Sequence, residues 1–320
     1  MHWRLRILRG TIYSHVPFGA ALRRAKRLLR PPTDESPSTR FAIADGLRQL
    51  SLLSRPGVRF PTSSLLEMGT GWLPVIPLLF HMAGYRRIVL TDTEKLMDDA
   101  TVEIAKRSIR RRLPEIAKEL GMTEEAAMAA LERPFQPEYR APWDPQADNL
   151  SPVDMLISRC VFEHVPPAEL EECLAAFRKV VRPGGVMCHV VDNSDHWQHL
   201  HHARSPVQFL TWPKGGLIER FATLNRYGYT NRLRHSDYIE MFRRTGWEIV
   251  TAEGEPDPRS LKDLQQLRPA PPFDTRDASD LAILYSCFVV RNPVDAVKQP
   301  SVTAQAGGRA HENANNLGPS

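Results

Sequence analysis

The stretch Leu65-Leu66-Glu67-Met68-Gly69-Thr70-Gly71 constrains the fold of this chain more than any other. An apolar run ends in an acid, two glycines follow one residue apart, and a helix-like segment begins at Leu73. That is the layout of a strand turning sharply into a helix beneath a nucleotide-like ligand. Glycine lets the backbone take turns, and approach a ligand, where a Cβ would stand in the way. The helix N-terminus beyond can receive an anionic group. A Gly-x-Gly alone is unspecific, but it is followed by Ile88-Val89-Leu90-Thr91-Asp92, a second strand ending in an acid. That spacing sets a carboxylate where ribose hydroxyls can donate to it.

Two cofactor families share this pair of features. A nicotinamide fingerprint needs a third glycine at position 74, where this chain has Pro74. Glu67, just inside the first strand end, instead resembles motif I of the Rossmann-like (class I) S-adenosylmethionine-dependent methyltransferases. Further matches follow in order. Val153 to Ser158 resembles that family's fourth strand, and Val161-Phe162-Glu163-His164-Val165 the segment after it. Phe177 to Gly185 resembles the helix and turn leading into the fifth strand, Val186 to Val191. Leu73 stands where many members have another glycine. The resemblance runs from about Phe41 to Asn292. It implies an α/β fold: a Rossmann-like, doubly wound, mostly parallel seven-stranded sheet with an antiparallel edge pair and helical decorations. It also implies S-adenosyl-L-methionine as cofactor, contacted by Glu67, Gly69, Thr70, Gly71, Asp92 and Ser158, with Glu67 beside the amino-acid tail and Asp92 on the ribose.

The 320-residue chain is long enough for one α/β domain with additions. No run reaches the length of a membrane-spanning helix, and the N-terminus lacks the apolar core of a secretory signal. The four cysteines show no Cys-x-x-Cys spacing, which points to reduced thiols and a cytoplasmic protein. The net charge is +5, but residues 1–40 carry nine Lys or Arg against two acids, so the remainder sums to −2. Nucleic-acid binding by the body is not expected.

Three regions are expected: a basic extension over 1–40, the methyltransferase-like domain over 41–292, and a disordered tail over 293–320. Within the extension Ala20 to Arg30 reads as a basic amphipathic helix stopped by Pro31-Pro32. Such a helix can rest on the inner face of an anionic membrane, or simply be solvated. A helix is expected over Phe41–Leu53. The first βαβ unit is expected as Ser64–Met68, Leu73–Ala83 and Arg87–Thr91. Residues 94–132 read as helical with a break at Gly121, while 133–151, rich in Pro and Asp, show no clear strand. Ser236–Thr245 reads as a helix capped by Ser236 and stopped by Gly246. Trp247–Ala252 and Leu281–Val290 read as the last strands.

Residues 193–235 interrupt the alternation and read as an insert that shapes the acceptor site. Methyl transfer to oxygen gains from a general base at the carboxyl edge of the sheet. His196 is the preferred base, with Asp192 or Asp195 to orient it, and His164 is a further candidate. His196, His199, His201 and His202 invite a metal reading, but a helix cap with hydrogen-bonded histidines explains them equally, and no metal is assigned. Tyr229, Asn231, Arg232 and Arg234 suit a pocket for a small polar or glycan-type acceptor; a surface loop with ion pairs is the plainer alternative. A nicotinamide-dependent oxidoreductase and a non-catalytic scaffold of the same fold are the competing functions.

Overall fold

The computed structural model describes residues 36–55, 64–200, 203–224 and 229–294. The basic stretch at 20–30 and the tail from 295 lie outside the described residues, as do His201 and His202.

Helix α1 spans Pro37–Leu53, four residues earlier than expected, because Ser36 caps it and proline occupies its first turn. Then come β1 (Ser64–Met68), α2 (Val75–Met82) and β2 (Arg87–Thr91). Three helices follow, α3 (Asp99–Arg110), α4 (Leu113–Glu119) and α5 (Glu124–Glu132). The helical stretch expected from residue 94 does break at Gly121, but it starts later and is broken a second time. An Asp98–Thr101 capping box delays its start, and Pro114 opens a new helix near residue 113. The region where no strand was clear holds β3 (Glu138–Arg140). Three residues between Pro137 and Pro142 are too short to show an alternating pattern.

The chain continues through β4 (Val153–Arg159), α6 (Pro167–Val180) and β5 (Val181–Asp192) to α7 (Leu217–Leu224), α8 (His235–Arg244) and β6 (Glu248–Glu253). It closes with α9 (Pro258–Leu264), α10 (Ala278–Leu281) and β7 (Tyr285–Arg291). Helix α8 is capped at Arg234, whose amide donates to Asp237, while Ser236 bonds Asp280, so the Ser236 cap is corrected. Gly246, at φ +82, does end the helix segment. The last strand starts later than expected because residues 278–281 coil into α10.

The strands form one sheet in the order β3-β2-β1-β4-β5-β7-β6. The first five run parallel, β7 is antiparallel to β5, and β6 is antiparallel to β7. This is the doubly wound, seven-stranded sheet with an antiparallel edge pair that the resemblance implied. One face packs on α1 to α5 through residues such as Leu65, Leu90, Ile157 and Val190. The other packs on α6 and α8 through Leu66, Leu156, Val191 and Phe288. Each such aliphatic or aromatic side chain contributes about 1.5–3 kcal/mol on burial. A third apolar cluster, with Trp197, Phe209, Trp212 and Phe273, anchors the segment after β5. Among the described residues no helix is long and apolar enough to cross a membrane.

Candidate cofactor and acceptor site

The chain winds away from β1 in both directions, through β2 and β3 on one side and β4 and β5 on the other. Ligands of open α/β sheets bind at such a switch point, beyond the carboxyl ends of the strands. Here the loops after β1, β2 and β4 meet around a cleft of about 880 Å3, within the roughly 300–1,000 Å3 range of small-molecule sites.

The glycines do different work. Gly69 has φ +75, and a Cβ there would come 2.5 Å from Val161 Cγ2, so the close approach of the β1 and β4 loops requires it. Gly71 has φ +67, and a Cβ there would meet nothing within 4 Å, so its outer side is open. Asp92 holds this loop in place. Its carboxylate accepts from the Gly71 amide at 2.8 Å and the Thr93 amide at 2.7 Å. No helix starts at Thr93, so Asp92 is not a helix cap. It lines the cleft at the β2 end.

Glu67 is 4% exposed. Burial drives its carboxyl from 4.5 up to about 8; nearby Thr70 and Arg159 pull the other way. Glu67 Oε2 and Thr70 Oγ1 are buried without hydrogen-bond partners among the described residues. Unmet buried polar atoms are costly in a folded chain. Glu67 and Thr70 flank Met68 and Gly69, which line the cleft.

Several lining residues were not named as site residues from the sequence. Trp143, stacked on Phe177 at 6.0 Å between ring centroids, forms one wall. Cys160 lines the cleft with a left-handed backbone at φ 52, a strained conformation of the kind found around functional sites. Its thiol is pushed to about 12, by burial first and then by Glu163. Glu169 and Cys173 complete the side opposite the glycine loop.

Ser158, expected at the cofactor, is not among the residues that line the cleft. Its side chain is buried 2.8 Å from His189 Nδ1, and its carbonyl accepts from Gln49 of α1. Three of the four expected acceptor residues make their hydrogen bonds within the fold. Arg234 is 0% exposed and donates to the carbonyls of Asn193, Leu281 and Leu233. Arg232 donates to the carbonyls of Phe209 and Trp212 and pairs with Glu219. Asn231 donates to the carbonyls of Phe162 and Val165. Arg232 ties the insert to itself, Asn231 ties it to the turn after β4, and Arg234 joins it to α10 and the segment after β5, so that of the four only Tyr229 lines the cleft.

His164 lies on the rim of the cleft. Its Nδ1 is 2.7 Å from the Tyr229 carbonyl, which only accepts, so that nitrogen carries the proton. His196 stands beside it, with ring centroids 5.0 Å apart. His196 Nε2 is 3.5 Å from Asp192 Oδ2, which makes Asp192 its carboxylate neighbour. Asp195, the alternative orienting group, has other partners. It is fully buried and splits its carboxylate between the Trp197 amide and Arg204. Burial alone would lower the His196 imidazole, but Asp192, Glu163 and Asp195 outweigh it and raise its pKa. Burial tends to raise Asp192, yet His196 and Ser194 hold it at about 2.

No protein-family model matches the chain, and no curated protein matches it either. Solved structures similar to it include three methyltransferases. One, an S-adenosylmethionine-dependent methyltransferase from Mesorhizobium loti, has TM-score 0.42 and 12% identity over 78% of this chain and 97% of its own. A second, a SAM-dependent methyltransferase from Methanosarcina mazei, has TM-score 0.41 and 12% identity over 74% of this chain and 95% of its own. The third, magnesium protoporphyrin IX methyltransferase from Synechocystis PCC 6803 with bound SAH, has TM-score 0.42 and 12% identity over 79% of this chain and 82% of its own.

Proposed function

We propose that this chain is an S-adenosyl-L-methionine-dependent methyltransferase acting on an oxygen, in preference to a nitrogen, of a small polar or glycan-type acceptor. The observation that carries the reading is the meeting at one switch point of Gly69 and the Asp92 carboxylate, both lining the cleft, with the buried Glu67 just inside the β1 end, its Oε2 without a hydrogen-bond partner among the described residues. A nucleoside fits the β2 side, with its ribose on Asp92 and its base against Trp143. The ammonium of an amino-acid tail would meet the polar atoms of Glu67 and Thr70.

The cofactor supplies an activated methyl group. The protein's task is to hold the acceptor in line with it, and good positioning is worth about 7–11 kcal/mol of barrier. Transfer would leave the cofactor a neutral thioether and would require the acceptor oxygen to lose its proton. Glu163, His164, Asp192 and His196 form the polar nest on the acceptor side, and His196 with Asp192 is the pair that would take the proton. Tyr229, Glu169 and Cys173 would line the acceptor's berth. The free thiols of all four cysteines suit a cytoplasmic setting.

The test is transfer of labelled methyl from S-adenosylmethionine into a panel of hydroxylated metabolites and glycans. Methylated oxygen in any of them supports the reading. Hydride exchange with a nicotinamide and no methyl transfer would replace it.

A further inference from the structure

Glu163 and His164, in the turn after β4, and His196, in the loop after β5, each bring one donor atom to within 4.8 Å of the other two. The sequence hinted at His196 with His199, His201 and His202. Among the described residues, an imidazole and a carboxylate from a different strand end stand with His196.

Four features of this nest are those of a cation site. Glu163 is 2% exposed, and while its Oε1 accepts from the Asp192 amide at 3.3 Å, its Oε2 is buried with no partner among the described residues. His196 Nε2 is likewise buried with no hydrogen bond. The Asp192 Oδ2 atom lies 3.5 Å from His196 Nε2 and 3.8 Å from His199 Nε2. A charge-assisted hydrogen bond would be shorter, about 2.7–2.9 Å. Two ligands on one tetrahedral cation, each bonded at about 2.1 Å, stand roughly 3.4 Å apart. His164 gives the fourth feature. Its Nδ1 proton is committed to the Tyr229 carbonyl, leaving the Nε2 lone pair free and the ring oriented. This is the outer hydrogen bond that metal-binding imidazoles make.

We infer that Glu163, His164 and His196, completed by Asp192, bind one divalent transition-metal ion at the border of the cleft. Two imidazoles and two carboxylates favour a zinc-like ion over magnesium or calcium, and the carboxylates balance its charge. His199, half exposed beside Asp192, is placed to join as a further ligand.

The inference deepens the proposed methyl transfer and rests on it only for the use of the ion. With the ion seated, His196 Nε2 is a ligand and no longer takes the acceptor's proton. A bound ion would polarise an acceptor hydroxyl and make it more acidic, so that its proton could pass to water.

The test uses the full chain, stripped with a chelator and dialysed, then titrated with Zn2+ and Co2+ by calorimetry and by cobalt d–d absorption. The expected result is one ion per chain at micromolar Kd or tighter. Glu163→Gln, close in shape, and His164→Ala, on the rim, should each weaken it at least tenfold without a matching loss of Tm. His201→Ala with His202→Ala should leave it unchanged. Absence of binding at 100 μM ion would overturn the inference. So would binding indifferent to Glu163→Gln and His164→Ala, or lost in the His201–His202 variant. Titrating S-adenosylhomocysteine into the same samples separates the two readings. Cofactor binding without an ion removes only the metal site, and ion binding without the cofactor removes only the methyl transfer.

Discussion

Glu67→Gln should move stability and ligand affinity in opposite directions. Burial lifts the Glu67 carboxyl from 4.5 to about 8, so between those values the folded chain keeps a proton that the unfolded chain has released. Where the native state binds more protons, stability falls as pH rises. Integrated upward from acid pH, where both states are protonated, the loss is about 2 kcal/mol at pH 6 and about 4 kcal/mol at pH 8. Glutamine keeps the shape of the protonated acid and does not titrate. The stability of Glu67→Gln relative to wild type should therefore grow by about 2 kcal/mol from pH 6 to pH 8, or roughly 4–8 °C in Tm for a domain of this size. Glu163, also pushed to about 8 by its burial, is present in both proteins and cancels. Binding should go the other way. Losing a carboxylate that meets a ligand ammonium should weaken S-adenosylhomocysteine about tenfold or more at pH 8, equivalent to about 1.4 kcal/mol. Calorimetric unfolding at the two pH values, with ligand titration at pH 8, measures both. A Tm difference that does not change with pH would refute the argument, because Glu67 would not then be titrating between the two values.

Further outcomes follow from the same geometry. Gly69→Ala, which forces a Cβ against Val161, should destabilise the chain by more than the ~1–2 kcal/mol that a left-handed alanine costs at Gly71. Val161→Ala should recover part of the Gly69→Ala loss, measured by urea unfolding, and not the Gly71→Ala loss. Arg234→Met should lower stability by about 3 kcal/mol or more, since it strips donors from buried carbonyls. Unchanged unfolding of that variant would return Arg234 to the acceptor pocket. Removing residues 1–35, which leaves the Ser36 cap in place, should abolish salt-sensitive co-sedimentation with anionic vesicles. Equal binding by both forms would remove the membrane role.

The sequence carried the frame of the fold because its strands are buried on both faces and read as apolar runs. Ser64–Met68 and Arg87–Thr91 stand where the pattern put them. Strand β3 was hidden because an edge strand of three residues, with one aromatic between two charges, is too short to leave a periodic trace. The glycine loop and Asp92 were legible because a sharp turn and a strand-end acid are local features. The roles of Arg232 and Arg234 were not legible. Composition shows that an arginine is polar, but only the fold shows that buried carbonyls take up its donors. Asp192 and Asp195 looked interchangeable beside His196 for the same reason. The backbone turn after β5 sends one toward the imidazole and the other to Arg204. Trp143 came from a loop whose aromatic content was visible but whose destination was not.

Calorimetric titration of the purified chain with S-adenosylhomocysteine, beside Asp92→Ala, bears most directly on the central claim. Micromolar binding by wild type that the variant loses is the predicted result. A folded wild-type protein that binds no S-adenosylhomocysteine would contradict the methyltransferase reading and turn the search to nicotinamides and a scaffold role.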